Sequence, residues 1–422
     1  MTKRIKIEKL QPGDIILTAS HTKTGKAIRL ATGGPVSHAM ICVQHGSIID
    51  STSNGVQSRN LQREFFDDNE EIWAFRLAQC PSATQIAKII DFARSQIGTR
   101  YSVTEAARSV FPGSRPRNKR QFCSRLVACS YGNAGIKLVE DQDYCTPDDL
   151  RLSPLLEEVT DITEMVSVDE RSLWKNLMDP TKITMDAQNA ILQVARDLNP
   201  EIENFVDLDK MVREHPEWDA EIAQAYRDSG YLDIWQHEMA TNPWRYNLEL
   251  MESITDEKLL IDLKEACVST IKEAYSGGRR YAVNLEHYQE MHKRYKLETF
   301  SLLIDLYKVL VKNDYLCRET ARSWLLKHHP EDVEKNMERI EPHSELWFFI
   351  VDRVEPQLGQ LARLSIKREQ SVEVCSSCGD HPVQDYRIAN ADDAMPGVPS
   401  LRLCSDCVNI RRGCGERLDI IS

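Results

Sequence analysis

No apolar run in this 422-residue sequence approaches the roughly 18 residues that a membrane-spanning helix needs. The opening residues Met1-Thr2-Lys3-Arg4-Ile5-Lys6 lead into no apolar core, so a secretory signal is not expected. A basic footprint is missing too. The formal charge is −12, which counts against nonspecific nucleic-acid binding without excluding a local contact. Twelve cysteines without such a signal predict a reducing compartment, the cytoplasm, where thiols serve metals or catalysis rather than disulfides.

The acidic excess lies beyond residue 165, while residues 1–165 are close to neutral. That asymmetry predicts bodies with different surfaces, joined near Ser153-Pro154 or between Thr160 and Asp169. The patterns divide the chain into three parts, 1–165, 166–370 and 371–422.

Residues 1–165 mix strands and helices. Gln11-Pro12-Gly13-Asp14 is a turn before the strand Ile15-Ile16-Leu17-Thr18. After Gly33-Gly34-Pro35 a buried strand starts at His38, turns at His45-Gly46 and returns as Ser47-Ile48-Ile49-Asp50-Ser51. Ile72-Trp73-Ala74-Phe75-Arg76 is another strand. Ile86, Ile89, Ile90 and Ala93 share one face of a helix closed by Gly98. From 166 to 370 the pattern is helical, with stripes at Leu302, Leu303, Leu306, Val309 and Leu310 and at Leu346, Phe349, Ile350 and Val354. No fixed repeat period runs through it. Stripes of this kind make a core, and nothing in them names a ligand.

Chemistry concentrates in the first part. Cys123 opens the helix Cys123-Ser124-Arg125-Leu126-Val127-Ala128-Cys129, where unpaired backbone N–H groups and the dipole stabilise negative charge. His38 on a rigid strand is the base such a thiol needs. Asp50, on the return strand, can accept the second ring N–H of His38 and hold its tautomer. An acidic residue in an otherwise apolar hairpin needs such a partner. His45 competes for that role but sits at the hairpin tip. Arg115, Arg117, Lys119 and Arg120 form a basic loop before the thiol, which either assists it or is a solvated turn. Cys129 reads as core or spare thiol.

These residues resemble the permuted branch of the NlpC-type papain-fold cysteine hydrolases, the YiiX-like group to which lecithin:retinol acyltransferase is also related. The resemblance rests on Leu10-Gln11-Pro12-Gly13-Asp14-Ile15-Ile16, Ser37-His38-Ala39-Met40-Ile41, Ser47-Ile48-Ile49-Asp50-Ser51, Ile97-Gly98-Thr99-Arg100-Tyr101 and Phe122-Cys123-Ser124-Arg125-Leu126. It covers roughly the first 160 residues. It implies a papain-like first domain, so that with the helical and cysteine patterns the chain is expected to be α+β, this domain preceding a helical domain and a small metal module. It also implies a catalytic set of Cys123, His38 and Asp50 that works through an acyl-enzyme. Tyr101 and Arg120 are the candidate substrate-binding residues. Arg125 stands where an acidic residue often follows the Cys-Ser pair, so substrate preference is expected to differ. Amide, isopeptide, ester and thioester bonds stay open as targets. Acyl transfer to a lipid or protein acceptor and a non-catalytic protein-binding adaptor are the alternatives. A cell-wall peptidase is disfavoured by the missing signal.

Two CxxC pairs, Cys375-Ser376-Ser377-Cys378 and Cys404-Ser405-Asp406-Cys407, mark the last part. Zinc takes four thiolates tetrahedrally, and a shell closed by four leaves no position for water, so the expected ion is structural. A helix start after Cys407 fits a zinc ribbon or a treble clef. Cys414 and His381 are spare ligands. Arg402, Arg411, Arg412 and Arg417 make nucleic-acid contact an open question, and a protein partner through the helical or zinc part is expected.

Overall fold

The computed structural model describes all residues except 1, 20–25, 27–28, 31–32, 45, 103–118, 273–276, 338, 390–396 and 422. The expectations for His45, Arg115 and Arg117 fall outside the described residues.

Short apolar strands bounded by turn residues build the first sheet. Strands β1 (Thr2–Ile5), β2 (Ile15–Thr18), β3 (His38–Gln44), β4 (Ser47–Thr52), β5 (Gly55–Asn60), β6 (Phe66–Asp67), β7 (Ile72–Leu77), β8 (Leu156–Val159) and β9 (Thr163–Val166) occupy the first part. Six of them form an antiparallel sheet in the order β5-β4-β3-β2-β7-β8, and β6-β1-β9 make a second, smaller one. Side chains alternate along each strand. Ala39, Ile41, Val43 and Ile49 therefore pack against helices α1 (Ala83–Ser95) and α2 (Cys123–Asn133). Met40, Cys42 and Ile48 face the layer that holds Ile5, Leu61 and Ile162.

Local chemistry sets the element ends. Helix α1 starts with a capping box in which Ser82 and Gln85 satisfy each other's backbone N–H groups. The Gly13-Asp14 turn is held from two sides. Asp14 is buried and takes Arg76 of β7 through both oxygens at 2.8 and 2.7 Å, and the Tyr131 hydroxyl of α2 donates to the Gly13 carbonyl. Gly13 has φ +95°, which a side chain would strain.

The stretch expected to join two bodies lies inside the first one. Strand β8 pairs with β7 and β9 pairs with β1, and the second pairing is reinforced by Arg4–Glu164 at 2.6 Å. By its contacts the chain resolves into two compact units, 1–231 and 232–422. The helices Pro180–Leu198 and Phe205–Glu214 thus belong with the first sheet. Arg196 donates to the Gly98 carbonyl at 2.8 Å, and Asn204 donates to the Thr99 hydroxyl at 3.1 Å. Between these helices, Glu203 is 5% exposed and takes Arg100 at 2.6 and 2.9 Å and Arg120 at 3.2 Å. Gly98 has φ +90°, and a Cβ there would come 2.2 Å from Leu192. An amphipathic stripe says that a helix is covered but not by what.

The second unit is helical up to Glu369, apart from its connections, and its longest helix is Glu298–His328. Leu303 and Leu306 of the expected stripe are buried, and so are Leu346, Ile350 and Val354 of the other. A core of Met251, Leu263, Cys267, Ile271, Trp324 and Leu325 joins these helices. Strands β10 (Val383–Ile388), β11 (Leu401–Cys404) and β12 (Leu418–Ile420) close the chain as a three-stranded sheet. Among the described residues no helix is long and apolar enough to cross a membrane.

Candidate active site and metal centre

His38 opens β3 opposite Thr18, and Met40 stands opposite Asp50 on β4. Residues two apart share a strand face, so His38 and Asp50 are diagonal neighbours across the hairpin. Their contact is direct: His38 Nε2 lies 2.7 Å from Asp50 Oδ2. Asp50 is fully buried, whereas the His38 side chain is 22% exposed. Burial resists the Asp50 charge, but Arg59 and His38 outweigh it and hold the carboxyl below its ordinary value of 3.8.

Cys123 is the first residue of α2, with Phe122 as its N-cap, and is 5% exposed. Its thiol bears on the His38 ring. Burial works against a charged imidazole, yet hydrogen bonds to Asp50 and Cys123 and their negative charge raise His38 from 6.5 to about 10. Asp50 on Nε2 and the thiol beside the ring thus favour its charged, imidazolium form.

A raised folded value means that His38 contributes its full stabilisation below about 6.5 and loses it as pH rises through about 10. Asp50, held below 3.8, contributes above that value and loses its share on acidification. The His38 ring should show no titration midpoint near 6.5 in a ¹⁵N chemical-shift series, only one near 10. A midpoint between 6 and 7 would remove the ion-paired reading of this site.

Tyr101 meets Gln121 in a parallel bridge two residues before Cys123. Its hydroxyl pKa is pushed up, first by burial and then by negative charge at Cys123. Arg120 shares Glu203 with Arg100, and its side chain is 42% exposed. Lys119 pairs with Asp207 at 2.7 Å. Arg125 turns inward and is 2% exposed. It donates to the Asp143 and Arg120 carbonyls at 2.8 and 2.9 Å, and its guanidinium lies over the Phe122 and Tyr144 rings. Its side chain two positions after Cys123 is thus held within the fold.

Sequence reasoning missed Arg59. From β5 its Nε lies 3.2 Å from Asp50 Oδ1, and its Nη2 donates to Oδ2. One signal could have found it: a carboxylate buried on both oxygens needs more donors than one imidazole supplies.

In the second unit Cys375, Cys378, Cys404 and Cys407 bring their sulfurs within 4.8 Å of one another and could hold a metal ion. Cys378 Sγ lies 3.5 Å from Cys404 Sγ and 3.6 Å from Cys407 Sγ. Four thiolates at about 2.3 Å from a tetrahedral ion would stand about 3.8 Å apart, so the set needs little adjustment. Burial resists a charge on Cys375, yet backbone N–H groups of Cys404, Cys378 and Ser377 draw its thiol down to about 7. Burial and the neighbouring thiols push Cys407 up to about 12. The second pair spans the end of β11 and the helix Ser405–Gly413. Behind the first knuckle, His343 lies 2.9 Å from the Ser376 hydroxyl and 2.8 Å from the Val372 carbonyl, and the Trp347 indole donates to the Ser400 carbonyl at 2.8 Å.

The arginines considered for nucleic acid are engaged within the fold. Arg402 is 5% exposed and holds Asp385 at 2.8 and 3.0 Å and Glu373 at 2.8 Å. Arg411 pairs with Glu416 at 2.8 Å, and Arg412 donates to the Leu418 carbonyl at 3.0 Å.

Residues 9–150 match the model of the permuted papain-like amidase enzymes, the YaeF/YiiX C92 family. That match supports an enzyme of the cysteine-hydrolase, amidase type in this part of the chain. No curated protein matches. Among solved structures, the metalloprotein yiiX from Escherichia coli O157:H7 is similar to this chain at 18% identity, covering 36% of this chain and 97% of its own, with a TM-score of 0.25.

Proposed function

We propose that this chain is a thiol amidase in which Cys123, His38 and Asp50 form the catalytic set. The observation that carries the reading is one imidazole held by a buried carboxylate on Nε2 with the helix-start thiol of Cys123 beside it. Cys123 sulfur attacks the carbonyl carbon, and backbone N–H groups of the first turn of α2 receive the developing oxyanion. His38 then gives its proton to the leaving amine as the C–N bond breaks, leaving a thioester and a neutral ring. Water attacks that thioester, His38 takes the water proton, and the acid leaves as the Cys123 thiolate beside the imidazolium is restored. Asp50 holds the ring in the tautomer that both transfers need. Tyr101 would line the cleft, and Arg120 would act at its rim.

The helical part and the four-cysteine centre would place a substrate or a protein partner, the ion being zinc in a closed, structural, treble-clef-like site. Working parts at 1–165, 166–370 and 371–422 remain the functional division we propose. None of the twelve cysteines is placed in a disulfide, which suits a reducing cytoplasm.

A small thiol-directed activity probe, followed by turnover of matched amide, isopeptide, ester and thioester substrates, tests this. Adduct formation at Cys123 and cleavage of amides are expected. Failure of every acyl substrate, with Cys123 unmodified, would leave the adaptor reading. A kinship with lecithin:retinol acyltransferase, if the resemblance holds, makes transfer to an added amine or alcohol the second outcome to measure.

A further inference from the structure

Asp50 has more partners than a triad carboxylate needs. It sits in the interior of the sheet with its side chain wholly buried. Oδ2 takes both His38 Nε2 and Arg59 Nη2, while Oδ1 takes Arg59 Nε at 3.2 Å. This is a two-pronged guanidinium clamp, the arrangement in which arginine fixes the plane of a carboxylate.

Register explains how Arg59 arrives there. Gln57 of β5 stands opposite Asp50, and Arg59 is two residues farther along the same face. The outer edge of the guanidinium is held too, because Nη1 donates to Glu64 at 2.9 Å. Met40 sulfur, on the strand beyond, lies 3.8 Å from Nη2. The charged groups on this path are therefore Cys123 and Asp50 on His38, Arg59 on Asp50, and Glu64 on Arg59.

The proposed cycle creates a difficulty that this clamp resolves. His38 is an imidazolium at rest and neutral once it has protonated the leaving amine. At that stage a buried carboxylate that depended on His38 alone would be an unpaired charge away from water, a costly state relieved when the ring retains its proton or Asp50 takes the proton up. Arginine does not give up its proton.

We propose that Arg59 is a positioning residue that holds Asp50 as an oriented anion while His38 is neutral, and so lets His38 release its proton to the leaving group. This rests on the triad reading above. Glu64 keeps the guanidinium in place from the outer side, and the charges of Asp50 and His38 act on it through space.

The test uses the full chain and two readouts. In a Cys123→Ala background, which removes the thiol from the ring, the His38 titration is followed by ¹⁵N chemical shift. In the protein that retains Cys123, iodoacetamide alkylation at that residue is followed against pH by site-resolved mass spectrometry. Arg59→Met should raise the His38 midpoint by about one unit or more, the size of change expected when a charge-assisted hydrogen bond is removed. Arg59→Gln, a smaller perturbation of the fold, should raise it too, and Arg59→Lys should bring it back most of the way. A purely structural role predicts the opposite sign, since a loosened site would let the midpoint fall toward 6.5. A midpoint unchanged or lowered in folded Arg59→Gln protein overturns the proposal. The control separates the two levels of inference. If Asp50→Asn leaves both the His38 midpoint and the alkylation profile unaltered, the triad reading fails and takes this one with it. If Asp50→Asn lowers the midpoint while the neutral Arg59 variants do not raise it, only the role of Arg59 is lost.

Discussion

Cys123→Ala is expected to remove acyl turnover, with a loss of roughly 10⁴-fold or more, as removal of a nucleophile does in other hydrolases. Other thiols do not replace it. Cys129 is buried on α2, and Cys80 and Cys414 are exposed but belong to no imidazole pair among the described residues. Exposed Cys80 supplies an internal reference: in site-resolved alkylation near neutral pH, Cys123 should react faster despite its burial. Asp50→Asn should cost on the order of 10⁴-fold in turnover, because the ring loses its tautomer and its support as an imidazolium. It also leaves Arg59 without the partner it clamps. The stability cost should fall below the roughly 3–5 kcal/mol of breaking a fully buried pair, since Arg59 keeps Glu64 and is 31% exposed. A thermal melt separates that cost from the catalytic loss. An active Cys123→Ala protein, or Cys129 labelled as fast as Cys123, defeats the assignment. So does a folded Asp50→Asn variant with full turnover.

Removal of the metal should have the second-largest effect, confined to the second unit. One zinc per chain is expected on Cys375, Cys378, Cys404 and Cys407. Small zinc modules draw about 10–16 kcal/mol of apparent binding energy from such ligands, so a chelator should melt the cysteine-bearing sheet. The damage should reach farther back than residue 371, because His343 and Trp347 are tied to Ser376 and Ser400. Hydrogen exchange should therefore rise over β10, β11 and the helix Ser405–Gly413, and also near Glu345–Val354. Cys123 alkylation should be unchanged, since a shell of four thiolates offers no open position for chemistry. Both readouts belong on the full chain, because the helices after 165 are bound to the first sheet through Arg196 and Asn204. Freshly purified protein without zinc would end the structural claim. Loss of Cys123 reactivity on chelation would give the metal a part in catalysis.

Much of this was legible in the sequence, for a local reason. Strands around Ile15, His38, Ser47 and Ile72, the α1 face and the start of α2 at Cys123 follow from periodicity and turn residues, which act within a few positions. The hairpin made His38 the partner to expect for Asp50, because one short turn brings the two strands side by side. The two CxxC pairs each place two sulfurs on one knuckle before any folding is known.

Tertiary structure decided what lies across longer paths. Arg59 is nine residues from Asp50, yet meets it only because β5 pairs with β4 in the register that sets Gln57 opposite Asp50. Arg100 and Glu203 are 103 residues apart, so no local pattern assigns the helices after 165 to the first sheet. Arg125 stands in the sequence only as a departure after the Cys-Ser pair, and it is the fold that brings the Asp143 carbonyl and two aromatic rings to it. Charge and period tell which residues need partners. Only the packed chain chooses which partners they receive, because burial makes an unpaired charge too costly to leave.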